Sequence, residues 1–185
     1  MVSDDDEDAL AGTWATPREL ARGLAEAKSV AVARRLRGAE GRFLVIGCDS
    51  VLEVPSVPGL AGQALGKPTD AAQAASRWRL MRGQHGLLHT GHCLIDVHDG
   101  QQQHATEVAT TGVWFAEVSD AEIEAYVASG EPLSVAGAFT IDGRGGTFIR
   151  GVDGDPSNVV GLSLPLLREM VGRAGVFWPS LWARG

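Results

Sequence analysis

The sequence predicts an α/β domain in which helices flank a central mixed sheet. Segments with helical character alternate along the chain with segments rich in apolar and β-branched residues. Residues 43–48 form a near-continuous apolar run that is too short for a helix and is typical of a strand buried on both faces. The Asp99-Gly100 pair between two β-rich segments indicates a hairpin, so part of the sheet has to be antiparallel. We expect a single domain over residues 1–185, which is long enough to bury a core without disulfides.

Capping motifs predict where the helices begin. Thr16 and Glu19 form a capping box with Pro17 at the first helical position, which predicts a helix over residues 17–37. Further helices are expected after Thr69, after Ser119 with its capping partner Glu122, and around Pro165. Strand-forming segments are predicted at residues 86–97, 104–118 and 136–155, the last of them interrupted by glycines.

The composition limits the classes of partner. A net charge of -7 and a pI near 5.2 argue against a protein that coats nucleic acid or an anionic membrane, because both require a basic surface. A small anionic ligand remains compatible with this charge. The N-terminus is acidic and no apolar run approaches membrane-spanning length, so we expect a soluble cytoplasmic protein. Cys48 and Cys93 have no metal-type spacing and are predicted to be reduced, buried thiols.

Several common catalytic motifs are absent from the sequence. The segment GQALGKP is not a P-loop, since Ala61 and Pro68 stand where a Walker A loop needs glycine and a hydroxyl residue. The GRGG segment at residues 143–146 lacks the spacing of a dinucleotide fingerprint and is typical of a turn or bulge. His89 and His92 are three residues apart in a predicted strand and face opposite sides, so they do not predict a zinc site.

The carboxylate of Asp49 is the candidate that remains. It follows the buried apolar run, at the carboxyl end of a predicted strand, which is the edge where open α/β sheets bind ligands. A strand-end turn or cap is the alternative role for an aspartate at this place. The acidic run DDDEDAL, which contains Glu7, is either a solvated charge block or the source of a second carboxylate for a divalent cation.

Several blocks of sequence resemble the Maf family of nucleotide pyrophosphatases. These blocks are GCDSVLE, GKPTDAAQA, HTGHCLI, GDPSNVVGLSLPLL and the long stretch over residues 119–149, and they occur in the family's order and at similar spacing. The resemblance covers nearly all of residues 5–173. It implies an elongated α/β fold of the Maf/ITPase type and hydrolysis of a nucleoside triphosphate to the monophosphate and pyrophosphate. It also implies a divalent metal cation, Mg²⁺ or Mn²⁺, a role in removing non-standard or excess nucleotides, a link to septum formation and a possible homodimer.

The resemblance implies roles for individual residues. Asp49 matches the aspartate of the family's A-D-T block, which is viewed as the general base that activates water. Lys67 matches the lysine of its G-K-P block, and Lys28 in LAEAKS matches the lysine of its LAxxKA helix; both would bind phosphate. Glu7 resembles a residue of the family's acidic pair, which would bind the metal together with Asp49. Lys28 and Lys67 are the two lysines among 16 basic residues, and this coincidence favours a phosphate-binding role over two surface lysines.

Three departures from the family pattern affect these expectations. Nothing before Asp4 resembles the strand and the S-x-S-P-R-R turn with which the family opens, so we expect that N-terminal strand to be missing. Ser50 replaces the threonine of A-D-T, and Asp142 stands where dTTP/UTP-type members carry glutamine, so both are substrate-binding candidates with an open base preference. Asp142 is alternatively a turn aspartate before Gly143. The competing hypothesis is a truncated, catalytically impaired nucleotide-binding homologue that regulates septum formation.

Overall fold

The computed structural model describes residues 14–36, 38–98 and 101–182. Within these ranges the chain is an α/β protein, which confirms the predicted class. Its strands are β1 (Phe43–Glu53), β2 (His85–His98), β3 (Gln101–Phe115) and β4 (Ile149–Asp153). Its α-helices are α1 (Pro17–Ala33), α2 (Ala71–Met81), α3 (Asp120–Ala128), α4 (Pro156–Val160) and α5 (Leu164–Arg173).

The four strands form one sheet in the order β1-β2-β3-β4, and all neighbouring strands are antiparallel. The expectation of a mixed sheet is therefore wrong for the described strands. The reason is the path of the chain, because α2 lies between β1 and β2 but packs against α3 instead of crossing over the sheet. β2 and β3 form the predicted hairpin, in which His98 pairs with Gln101. The turn at residues 99–100 lies outside the described residues.

The capping residues begin the helices where the sequence predicts. The Thr16 hydroxyl accepts a hydrogen bond of 3.2 Å from the amide of Glu19, and α1 begins at Pro17. Ser119 and Glu122 form a capping box in which each side chain binds the backbone of the other residue. The end of α1 differs from the prediction, since the α-helix stops at residue 33 and continues as the 3₁₀ turn Arg34–Leu36. Helix ends commonly tighten in this way because the last carbonyls lack partners.

Strand β1 is longer and more exposed than predicted. It does not end before Asp49, because its pairing with β2 runs on to Glu53. It is an edge strand of the described sheet. Val45 is buried against α1, whereas Ile46 on the other face is exposed, so the prediction of burial on both faces is wrong at Ile46.

The predicted strand over residues 136–155 is also shorter than expected. Only Ile149–Asp153 is a strand, and the preceding segment forms the 3₁₀ turns Ala136–Ala138 and Arg144–Phe148. The backbone amides of Arg144 and Gly145 donate to the carboxylate of Glu131 instead of joining the sheet. A side chain distant in sequence thus replaces the strand partners.

Helices cover both faces of the sheet. Helix α1 packs on one face, against Val45, Cys93 and Ile95, and α5 packs on the opposite face against Leu94. The largest core surrounds Trp78 and joins α2 and α3 to the ends of the strands. None of the helices in the described ranges combines the length and the apolar character needed to cross a bilayer.

Candidate functional site

Two glycines allow α1 to approach the sheet closely. A Cβ at Gly91 would lie 2.1 Å from the carbonyl oxygen of Ala21, and a Cβ at Gly47 would lie 2.3 Å from Oγ of Ser29. The buried Ser29 hydroxyl donates a hydrogen bond of 2.7 Å to the carbonyl of Cys93, so the helix is tied to β2. Glycine inside a strand is the sequence signal of such a contact. The Lys28–Asp49 contact depends on these two glycines, which none of the sequence motifs indicated as site residues.

The close contact brings Lys28 of α1 to Asp49 of β1. The ammonium group of Lys28 donates a hydrogen bond to Oδ2 of Asp49, and the two side chains form an ion pair. The Asp49 side chain is 11% exposed and the Lys28 side chain is 35% exposed, so the pair is part-buried and solvent reaches it mainly at Lys28. The structure places Asp49 within β1 and not at its carboxyl end. The candidate site therefore lies along an edge strand and not at a row of strand ends.

Ser50 faces the opposite side of β1 from Asp49, because successive side chains of a strand alternate. Its hydroxyl is 2.8 Å from that of Thr90, which in turn donates to the carbonyl of Asn158 in α4. Thr90 and Asn158 are buried, whereas Ser50 is half-buried. Ser50 is thus beside Asp49 along the edge, but its hydroxyl already takes part in a hydrogen-bond chain that ties β1 and β2 to α4.

The segment that carries Lys67 lies against the edge of β1. Leu65 and Leu52 exchange backbone hydrogen bonds of 2.8 and 3.2 Å, and the two chains run antiparallel. The residues that follow Leu65 therefore run back along β1 in the direction of Asp49. Arg77 of α2 donates a hydrogen bond of 2.7 Å to the carbonyl of residue 66, which holds this segment in place. Lys67 is exposed there.

Asp142 lies in an exposed turn of the loop that precedes β4. This loop touches the Lys67 segment at Gly137, whose amide lies 3.0 Å from the carbonyl oxygen of Leu65 and 3.2 Å from that of Gly66. The structure thus brings Lys28 and Asp49 into contact and puts the Lys67 segment on the same strand edge. Asp142 lies in the loop that contacts the Lys67 segment at Gly137. Glu7 lies outside the described residues.

The cysteines and histidines do not converge on this site. Cys48 is opposite His92 in the register and Cys93 is opposite Gly47, so the two thiols are on different faces and both are free. Burial, with a smaller contribution from the charge of Asp49, raises the pKa of the Cys48 thiol to about 12. This thiol stays protonated at neutral pH and is a poor nucleophile.

The two histidines of β2 also have separate surroundings. His89 contacts the carboxylate of Glu53 and the hydroxyl of Thr110, whereas His92 contacts the backbone of Thr90 and of Ser163. Within residues 14–36, 38–98 and 101–182, no three histidine, cysteine or acidic side chains cluster as a metal site. Mg²⁺ commonly uses one or two carboxylates together with substrate phosphates. The carboxylate of Asp49 is a ligand of the type that Mg²⁺ uses in this way.

The fold and the site together define an α/β protein with a carboxylate–lysine pair on an edge strand of an antiparallel sheet. The family model described as "Maf-like protein" matches residues 1–174. A protein of Streptomyces coelicolor is 54% identical over 185 residues, which are 99% of this chain and 83% of the relative. A protein of Salinispora tropica is 53% identical over 186 residues, 100% of this chain and 78% of the relative. Both are named nucleoside triphosphate pyrophosphatase, as is a protein of Streptomyces avermitilis with 52% identity over 184 residues, 98% of this chain and 82% of the relative. The chain belongs to the Maf family.

Proposed function

We propose that this protein is a nucleoside triphosphate pyrophosphatase that converts a nucleotide, (d)NTP, to (d)NMP and pyrophosphate and so removes non-standard or excess nucleotides. The observation that carries the proposal is the Lys28–Asp49 pair, which α1 presents at the edge of β1 beside the Lys67 segment. The names of relatives that are more than 50% identical support the same activity.

Asp49 acts as the general base. Its ionised carboxylate accepts a proton from a water molecule, whose oxygen forms the new bond to the α-phosphorus. The bond between the α-phosphorus and the bridging oxygen breaks, and its electron pair leaves with pyrophosphate. Because the carboxylate is on a strand that is paired along its whole length, its position is set before the substrate binds.

The lysines neutralise the triphosphate. Lys28 is paired with Asp49 in the structure, so its ammonium group lies within reach of any phosphate that approaches the base. Lys67 approaches from the outer side of β1, on the segment that Leu65 anchors. An ammonium group is a compact and mobile donor, which suits the oxygens of a phosphate chain. The two charges offset the repulsion between the substrate and an acidic protein.

A divalent cation, Mg²⁺ or Mn²⁺, belongs to the proposal. Asp49 would hold it together with Glu7 and phosphate oxygens of the substrate. When bound, such a cation neutralises charge that develops on the phosphate oxygens. Ser50 and Asp142 are the proposed contacts to the rest of the nucleotide, of which Asp142 is an acceptor-only group facing solvent.

The test is release of pyrophosphate by the purified protein with Mg²⁺ or Mn²⁺ and a panel of standard and modified nucleoside triphosphates. We expect at least one triphosphate to be converted to its monophosphate. Asp49→Asn should lower kcat by about 10²- to 10⁴-fold, because the amide keeps the shape of the side chain but cannot take the proton.

Asp96→Asn is the matched control. Asp96 is also a sheet carboxylate in an ion pair, with Arg42, and its side chain is 14% exposed, yet it lies away from the Lys67 segment. It should leave kcat within about twofold of the wild type. Release of orthophosphate, or an equal effect of both substitutions, would contradict the proposal. Calorimetry that shows triphosphate binding without turnover would support the competing hypothesis of a catalytically impaired, regulatory homologue.

A further inference from the structure

One carboxylate organises the loop that carries Asp142. Oε1 of Glu131 accepts hydrogen bonds from the hydroxyl of Tyr126 (2.9 Å), the hydroxyl of Thr140 (2.6 Å) and the amide of Gly145 (2.9 Å), while Oε2 accepts from the amide of Arg144 (3.0 Å). These donors come from α3 and from both ends of the loop over residues 140–146. The loop therefore closes around the carboxylate of a residue that is outside it.

The charge of Glu131 suits this role. The bond from the Thr140 hydroxyl, followed by those from the amides of Gly145 and Arg144, lowers the pKa of Glu131 to about 2. Burial, together with the neighbouring Glu131, raises the pKa of Tyr126 to about 12. At neutral pH the carboxylate is thus an acceptor at both oxygens, and the phenol remains a donor.

The loop has little room to move around this carboxylate. A Cβ at Gly145 would lie 2.4 Å from the hydroxyl of Tyr126, and a Cβ at Gly143 would lie 2.5 Å from that of Thr140. Asp142 follows Thr140 by two residues and is exposed, with no hydrogen-bond partner among the described residues. Its carboxylate is therefore placed by the loop and not by contacts of its own.

The residues just before this loop contact the segment that carries Lys67. Gly137 and Ala138 both have positive φ angles, 66° and 61°, and the buried indole of Trp78 donates a hydrogen bond of 2.7 Å to the Ala138 carbonyl. The amide of Gly137 lies 3.0 Å from the carbonyl oxygen of Leu65, two residues before Lys67. The loop that Glu131 binds is thus continuous in sequence with residue 137, which contacts the Lys67 segment.

We propose that Glu131 is a positioning residue of the nucleotide site, which holds residues 140–146 as a rigid wall and so sets the place of the Asp142 carboxylate. The inference rests on the proposed function. It concerns the part of the substrate that is not triphosphate, because Glu131 accepts its hydrogen bonds from α3 and from the loop that carries Asp142. If residues 140–146 become more mobile, binding of the base should weaken, whereas binding and hydrolysis of the triphosphate should not change.

The test compares Glu131→Gln with the wild type on two substrates, a nucleoside triphosphate that the enzyme accepts and ribose 5-triphosphate, which has no base. In the variant an amide nitrogen replaces one carboxylate oxygen, so at least one donor of the loop faces another donor. We expect KM for the nucleotide to rise about tenfold, as for loss of one charge-assisted hydrogen bond, while KM for ribose 5-triphosphate and both kcat values change less than about twofold.

Glu122→Gln is the matched control, because it changes the capping-box carboxylate at the other end of α3 in the same way, without any contact to the loop. The control should leave both KM values unchanged at a similar loss of thermal stability. Equal KM changes on the two substrates, no change in Glu131→Gln, or the same change in Glu122→Gln would overturn the inference. If the wild type releases no pyrophosphate, the proposed function fails, and calorimetric Kd values of the two variants for the nucleotide decide the inference by the same comparison.

Discussion

Asp49 and Ser50 are neighbours in sequence but belong to different environments. Asp49 faces α1 and pairs with Lys28, whereas Ser50 faces α4 through the hydroxyl of Thr90. The alternation of a strand separates them by the thickness of the sheet. A substitution at Ser50 is therefore transmitted to α4 as well as to the edge of β1, and its effects need to be separated from those of Asp49.

His92 is a buried residue whose tautomer is set by two backbone contacts. Nδ1 lies 2.9 Å from the carbonyl oxygen of Thr90, and Nε2 accepts a hydrogen bond of 2.8 Å from the amide of Ser163 at the start of α5. The neutral ring with a proton on Nδ1 satisfies both contacts. Burial lowers the pKa of His92 from its usual 6.5, although the Thr90 carbonyl and nearby acidic residues act in the opposite direction.

This environment predicts a loss of stability in mild acid. Because the folded protein favours the neutral ring, the unfolded state binds more protons below pH 6.5, so the contribution of His92 is complete above pH 6.5 and is lost as the pH falls towards its folded pKa. We expect the Tm of His92→Gln to lie below that of the wild type at pH 8 and to fall less between pH 7.5 and 5.5.

Thermal unfolding followed by circular dichroism over this pH range checks the prediction. His104→Gln is a suitable control, since His104 is exposed on β3, and it should retain the pH dependence of the wild type. A wild-type slope in His92→Gln would show that protonation of this ring does not limit stability in mild acid.

Among the secondary-structure elements, the contact between α1 and β1 has the most direct consequence for the site. The helix lies so close to the sheet at Gly47 that an added Cβ would lie 2.3 Å from Oγ of Ser29 and 2.8 Å from the carbonyl oxygen of Ala25. A side chain can rotate away, but a helix carbonyl cannot. The spacing of these two elements is therefore set by the absence of a side chain at residue 47.

We predict that Gly47→Ala displaces α1 and separates Lys28 from Asp49. The free energy of unfolding should fall by about 1–3 kcal/mol, which is typical of overpacking. Pyrophosphate release at a temperature where the variant is fully folded should fall as well, because the ion pair is no longer aligned. Urea unfolding and a steady-state assay measure the two effects.

Gly151→Ala provides the comparison. Residue 151 is also a strand glycine, in β4, but nothing lies within 4 Å of a Cβ placed there. This variant should be nearly as stable as the wild type and equally active. Normal activity in Gly47→Ala would mean that the α1–β1 spacing is not what aligns the site.

For the molecule as a whole, Trp78 is the central side chain of the largest hydrophobic core. Its indole makes edge-to-face contacts with Phe115, Tyr126 and Phe148 at centroid distances of 5.6, 5.6 and 5.7 Å. It is fully buried and donates its N–H to the Ala138 carbonyl. The residue thus joins α2 to β3, α3 and the start of the Asp142 loop.

Removing this side chain should destabilise the entire fold. We expect Trp78→Ala to lower the free energy of unfolding by about 3–5 kcal/mol, since it leaves a cavity and an unpaired carbonyl. Leu80→Ala, on the same helix at a residue that is 43% exposed, should cost less than about 1 kcal/mol. Urea unfolding followed by circular dichroism measures the free energy of unfolding of both variants. Equal losses would contradict the central role of Trp78 in the core.

Helix beginnings and the hairpin were predictable because their causes are local. The cap at Thr16, the capping box of Ser119 and the pairing of His98 with Gln101 each involve residues at most three apart. The mixed character of the sheet was predicted wrongly, because a helix between two strands is compatible with either a parallel or an antiparallel pair. Whether that helix crosses the sheet depends on where it packs, and α2 packs on α3.

The candidate site was likewise predictable only in part. Asp49, Lys28 and Lys67 could be selected from sequence, since their chemical types and blocks are visible there, and their catalytic and binding roles remain predictions. Their arrangement could not be selected, because Lys28 reaches Asp49 across 21 residues through a contact that Gly47 and Gly91 permit. The hydrogen-bond donors of Glu131 could not be predicted from the sequence either. They lie in α3 and at both ends of a loop, and their spacing follows no helix or strand periodicity. The sequence by itself determines which chemical groups are available to the site. The tertiary structure decides the distances between them, because these depend on how closely the helices and loops pack on the sheet.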